Sequence, residues 1–143
     1  MNAYMNQYQN NQILSSSPEQ ILILLYDGSI RFCRQAIHAM EAGQRKIQAE
    51  KISRAMAIIC EFANTLDHKV GGEIATDLDA LYSFMTRELT RANLQNDRKA
   101  LETVEDLLSG LRETWVEAIE INRNEMMPGK KSEQTVSQIA AAF

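Results

Sequence analysis

The side chains able to carry chemistry in this chain are few, and their spacing does not bring them together. The only histidines are His38 and His68. A di-metal site inside a helical bundle needs Glu-x-x-His, because residues one turn apart project toward the same ion. No such motif occurs here, and Cys33 and His38, five residues apart, fall on different sides of one helix. Neither a metal nor a cofactor is expected. Nucleophilic catalysis is no better supported. There is no Gly-x-Ser-x-Gly, and Asp27-Gly28-Ser29 lies within a helical pattern rather than on a strained turn. Gly71-Gly72 lacks the preceding strand and the Gly-Lys-Ser/Thr ending of a phosphate loop. The paired acids Glu105-Asp106 read as a solvated helix face. Cys33 and Cys60 both read as buried thiols within helices rather than as a disulfide. The residues predict a protein that is not an enzyme.

The elements that hold these residues are helices. Ser17-Pro18-Glu19-Gln20 is the clearest start: Ser17 and Gln20 can form a capping box, and Pro18 falls at the first helical position. Five aliphatic residues follow at once, more than one buried face uses. The first helix is expected from Pro18 to Ala42, about 37 Å long, with Leu22, Tyr26, Ser29, Cys33, Ala36 and Met40 as its core stripe. Leu25, Ile30 and Ile37 widen that stripe, and Gly43 is a C-terminal cap. A second helix is expected from Gln48 to His68, buried through Ile52, Ala55, Met56, Ile59, Phe62, Ala63 and Leu66. Gly71-Gly72 breaks the chain. A third helix carries Ile74, Ala75, Leu78, Leu81, Tyr82, Met85, Leu89 and Ala92, and Asn96 or Asp97 caps the next turn. A fourth carries Leu101, Val104, Leu108, Leu111, Trp115 and Ile119 and fades near Met126-Met127. Apolar spacing at period 3.6, and 109 proline-free residues between Pro18 and Pro128, predict an all-α antiparallel four-helix bundle.

The 143 residues suffice for one domain. Residues 1–16 hold Asn or Gln at seven of the first twelve positions, too polar to fold alone. They are expected to be a flexible N-terminal strap, with 17–127 as the bundle and 128–143 as a flexible tail. No leader or membrane-spanning run is seen, so a cytoplasmic location is expected. A net charge of −4 argues against nucleic acid as a partner.

What remains is surplus apolar surface. With each core stripe set inward, Leu24, Ile58, Phe84, Leu107 and Ile121 fall outside it. On the fourth helix Ala100, Leu107, Thr114, Ala118 and Ile121 form a second row. Such rows can receive an amphipathic partner segment, or they can form the contact of a structural homodimer.

Residues distributed along the chain resemble the FliS family of flagellar export chaperones. They are Tyr8, Ser17-Pro18-Glu19-Gln20 followed by Leu25-Tyr26-Asp27-Gly28, then Leu66-Asp67 with Gly71-Gly72-Glu73-Ile74-Ala75, Leu81-Tyr82 with Met85, and Ala92-Asn93. The resemblance spans residues 4–125. It implies a cytosolic chaperone that binds the C-terminal segment of flagellin, prevents its premature polymerisation and delivers it to the export gate protein FlhA. A FliW-like or other co-chaperone is a further implied partner. Leu24, Ile58, Phe84, Leu107 and Ile121 would then line the flagellin groove. Tyr8 and the pair Ile13-Leu14 match the family's strap, implicated in covering that groove and in docking at the gate. A small residue at Gly28 is expected to allow close helix approach.

Overall fold

The computed structural model describes residues 17–125. The calls on the strap (Tyr8, Ile13, Leu14), on Met126-Met127 and on the tail 128–143 lie outside these residues. The described chain forms four helices: α1 Pro18–Glu41, α2 Arg45–Asn64, α3 His68–Gln95 and α4 Arg98–Glu125. No strand occurs among the described residues, and the fold is an all-α four-helix bundle.

Local chemistry explains most of the boundaries. Ser17 Oγ accepts from Gln20 N at 3.3 Å, and Gln20 Oε1 accepts from Ser17 N at 3.1 Å, which completes the expected capping box. The end of α1 is a Schellman turn: Gly43 has φ +69°, its N–H donates to Met40 O, and Gln44 N–H donates to Ala39 O at 2.9 Å. α2 starts three residues before the expected Gln48 and ends at Asn64, short of His68. It stops early because Asp67 caps the next helix, accepting from Lys69 N and Val70 N, both at 3.1 Å. α3 therefore begins at His68, ahead of the expected Ile74. The expected break survives inside it as one residue, Gly72, at φ 52° and ψ −127°, a conformation a side chain resists. Asn96 and Asp97 share the α3–α4 corner. Asn96, at φ 54°, closes α3, and Asp97 Oδ1 accepts from Lys99 N at 3.0 Å and Ala100 N at 3.3 Å to open α4.

Each helix packs on its neighbours in the cyclic order α1–α2–α3–α4–α1. The core is aromatic toward one end and rich in small residues toward the other. At the aromatic end every helix contributes one large side chain: Tyr26, Phe62, Tyr82 and Trp115. Tyr26 stacks on Phe62 with ring centroids 4.5 Å apart, and its hydroxyl lies 2.7 Å from that of Tyr82. Trp115 Nε1 donates to the same Tyr26 oxygen at 3.1 Å. At the other end Ala36, Ala39, Ala55, Ala92 and Ala100 are buried, with Gln48 donating from Nε2 to Asn93 Oδ1 at 3.2 Å.

The seam between α1 and α4 is closed by an ion-pair ladder: Asp27–Arg112, Arg34–Glu105 at 2.5 Å, and Glu41–Arg98. The three α1 partners are seven residues apart, and so are the three α4 partners in reverse order. That is two turns per step on antiparallel helices. Glu105, expected on a purely solvated face, is a rung of this ladder.

Three further expectations need correction. Leu25 sits on the flank of the α1 stripe and is 37% exposed. Cys60 is exposed, since it follows the buried Ile59 by one residue and so turns about 100° away from the core. Ala100 is buried, because α4 packs between α1 and α3 and its first turn faces both the core and the α3 corner.

Candidate partner-binding surface

The residues expected to line a groove sit in three different settings. Phe84 on α3 and Ile121 on α4 are exposed large apolar side chains, at 38% and 41%. Leu24 on α1 is half-buried without joining the core cluster. Ile58 and Leu107 are half-buried against that cluster. Ile58 reaches toward α1, where its Cδ1 would lie 3.6 Å from a Cβ placed on Gly28. That is ordinary van der Waals contact, so a methyl group fits at Gly28, and the close approach there excludes only larger side chains.

Sequence reading missed four exposed apolar residues: Leu25, Ile47, Val70 and Leu94. Leu94, 76% exposed in the last turn of α3, is the most informative. It lies ten residues after Phe84, on the same stripe as Arg87 and Arg91. Extending the Phe84 stripe to the end of the helix would have found it.

Leu94 borders an open groove of about 480 Å³ between α2 and α3, lined by Met56, Cys60, Thr86, Arg87, Thr90, Arg91 and Gln95. Of the two cations that line it, Arg91 is neutralised. Arg91 donates to both Glu88 oxygens, at 3.2 and 2.8 Å, and to Asp97 Oδ2 at 2.7 Å. Its pKa is raised chiefly by the hydrogen bonds to Glu88. What the groove offers a partner is thioether, thiol, methyl and leucine surface, with the Arg87 side chain beside it and two threonines that back-bond to their own helix.

Nothing about this surface resembles a reaction centre. Apart from the Arg91 guanidinium, the perturbed groups are in the core. Burial pushes the Tyr26 phenol up to about 12, against the opposing pull of its bonds to Tyr82 and Trp115. Burial, then the proximity of Tyr26, raises Tyr82 as well. The Cys33 thiol is pushed up to about 12 by burial, with Glu105 adding to it. All three are held in their neutral, unreactive forms. Among the described residues no group of three or more His, Cys, Asp or Glu side chains is placed to hold a metal ion. No helix among them is long and apolar enough to cross a membrane.

A packed bundle with unpartnered apolar positions on its outside is consistent with a binding protein, and comparison with known proteins supplies the family. Residues 1–122 match the family model "Flagellar protein FliS". The chain belongs to the FliS family. It is similar to the flagellar secretion chaperone FliS of Salmonella typhimurium, 40% identical over 114 residues that cover 79% of this chain and 84% of that protein. The Campylobacter jejuni flagellar secretion chaperone FliS is 36% identical over 112 residues, covering 78% of this chain and 88% of its own. The Bacillus subtilis flagellar secretion chaperone FliS is 31% identical over 118 residues, covering 82% and 87%. The FliS family is one of flagellar export chaperones, not of enzymes.

Proposed function

We propose that the chain is the export chaperone of flagellin, binding its C-terminal segment, keeping it from polymerising early and handing it to the export gate protein FlhA. The observation that carries this reading is apolar surface left outside a finished core. Phe84, Leu94 and Ile121 remain exposed although the bundle has buried an aromatic cluster in its core. A segment that folds as it binds can cover such dispersed positions over a large area. Because part of the interaction free energy goes into ordering the segment, release at the gate stays feasible. Leu24, Ile58, Phe84, Leu107 and Ile121 are the proposed groove residues, with Leu94 added from its exposure. The strap residues Tyr8, Ile13 and Leu14 are proposed to cover the groove before cargo arrives and to take part in docking at FlhA. A FliW-like co-chaperone is a further proposed partner.

The test is calorimetric titration of the full chain with the flagellin C-terminal segment from the same source. Binding with a negative heat-capacity change is expected. Phe84→Glu combined with Leu94→Glu should weaken it by at least about ten-fold while leaving the far-ultraviolet dichroism of the free bundle unchanged. A stable dimer that ignores the segment would instead favour a structural homo-oligomer.

A further inference from the structure

A second groove, between α1 and α2, is more cationic than the α2–α3 groove. It encloses about 460 Å³ and is rimmed by Arg31, Arg34, His38 and Lys51 over a floor that includes Gln35, Ala39 and Ile47. Cations are concentrated in this hairpin. Residues 31–54 carry six Arg or Lys against two Glu, within a chain whose net charge is −4. Arg34 is paired with Glu105 and Arg54 with Glu50. Arg31 and Lys51 form no ion pair among the described residues. Both lie over the Phe32 ring, at 5.5 and 5.7 Å from its centroid. With Arg54 at 5.9 Å, three cations gather over one ring beside an open groove, a preformed site for negative charge.

The floor narrows the choice of ligand. Ile47 is an apolar lining residue and is 41% exposed. A phosphate or other small anion would leave that side chain uncovered. An acidic peptide brings carboxylates and apolar side chains together, so it can answer the cations and cover Ile47 at once. The chain's own ends do not fit the charge: residues 1–16 contain no acid, and residues 126–143 contain one Glu against two Lys.

We propose that the α1–α2 groove docks an acidic, extended peptide segment of a partner protein. Its carboxylates engage Arg31 and Lys51, and an apolar side chain of the segment covers Ile47. This surface adjoins Ile58, which lies with Arg31 beside Gly28, but it lies away from the Phe84 and Leu94 face, which binding here would leave free.

The experiment uses the full chain and a short fluorescein-labelled peptide alternating Glu and Leu, read by fluorescence anisotropy at low and physiological salt. The Glu peptide should bind at least about ten-fold more tightly than its Gln counterpart, and salt should weaken it. Arg31→Glu with Lys51→Glu should abolish that preference. Lys99→Glu with Arg123→Glu, which changes net charge equally but lies on α4, should retain it, as should the Phe84→Glu, Leu94→Glu chaperone variant. Dichroism confirms that each variant is folded. Equal affinity for the Glu and Gln peptides, or equal loss in both charge variants, would overturn the proposal. So would tighter binding of a single-stranded RNA oligonucleotide, or a dimer in sedimentation that the Arg31→Glu, Lys51→Glu variant dissolves.

Discussion

Tyr26 is the residue on which the four helices converge. It stacks on Phe62, shares a hydrogen bond with Tyr82 and accepts from Trp115, so side chains of α2, α3 and α4 meet on this one residue of α1. Tyr26→Phe keeps the ring and its stacking but removes the oxygen on which two buried groups converge. A loss of about 1–3 kcal/mol in urea denaturation is expected, with near-native helicity before the transition. The same cluster sets the alkaline limit of stability. Tyr26 is raised from 10.0 to about 12 and Cys33 from 9.0 to about 12, in both cases mainly by burial. A folded-state pKa above the unfolded one means that the unfolded chain loses its proton first. The stabilisation is therefore intact below about pH 9 and is progressively lost as pH rises toward 12. Denaturation midpoints should fall across that window, and Cys33→Ala should shift the start of the fall upward toward pH 10. A midpoint flat from pH 9 to 11 would contradict the burial of these groups.

At the scale of elements, the ladder between α1 and α4 fixes register more than it adds stability. Exposed ion pairs contribute about 0–1 kcal/mol each, yet three pairs in step penalise any sliding of α4 along α1, because a one-turn shift would break all of them. Reversing one rung by Glu105→Arg should lower stability, since it sets two cations together at Arg34. Combining it with Arg34→Glu should restore most of the loss. A double variant as unstable as the sum of the singles in a double-mutant cycle would show that Arg34 and Glu105 do not interact. The ladder also marks what the sequence made legible. The core stripes, the Ser17 box, the Gly43 cap and the Asn96–Asp97 corner could all be read, because each rests on residues within one or two turns of one another. The charges at 27, 34 and 41 have the same spacing as those at 98, 105 and 112, but pairing them needs the antiparallel docking of two helices far apart in sequence. The α2–α3 boundary was misplaced for a local reason: Asp67 caps a helix that runs only one turn before Gly72, and the double glycine obscured that turn. Of the proposed groove residues, Phe84 and Ile121 were legible as exposed from periodicity alone. The half-burial of Ile58 was not, since it depends on the space above Gly28 on another helix.

For the molecule as a whole, we propose that residues 17–125 are a self-sufficient fold. The core, the Ser17 capping box and the ion-pair seam described above are each made by residues within that range. Deleting residues 1–14 keeps Ser17 and the capping box that starts α1. The truncated chain should therefore melt cooperatively, with helicity per residue no lower than that of the full chain. If the strap covers the apolar face, as proposed from the family resemblance, deletion should also raise the fluorescence of a hydrophobic probe dye, and flagellin-segment binding should become tighter because no cover has to be displaced. The two readouts separate stability from cover. A truncated chain that fails to melt cooperatively would mean that the first residues belong to the fold. One that melts normally but binds dye and segment as the full chain does would mean that the strap lies elsewhere. In that case the exposure of Phe84, Leu94 and Ile121 would be the resting state of the surface and not a consequence of uncovering it.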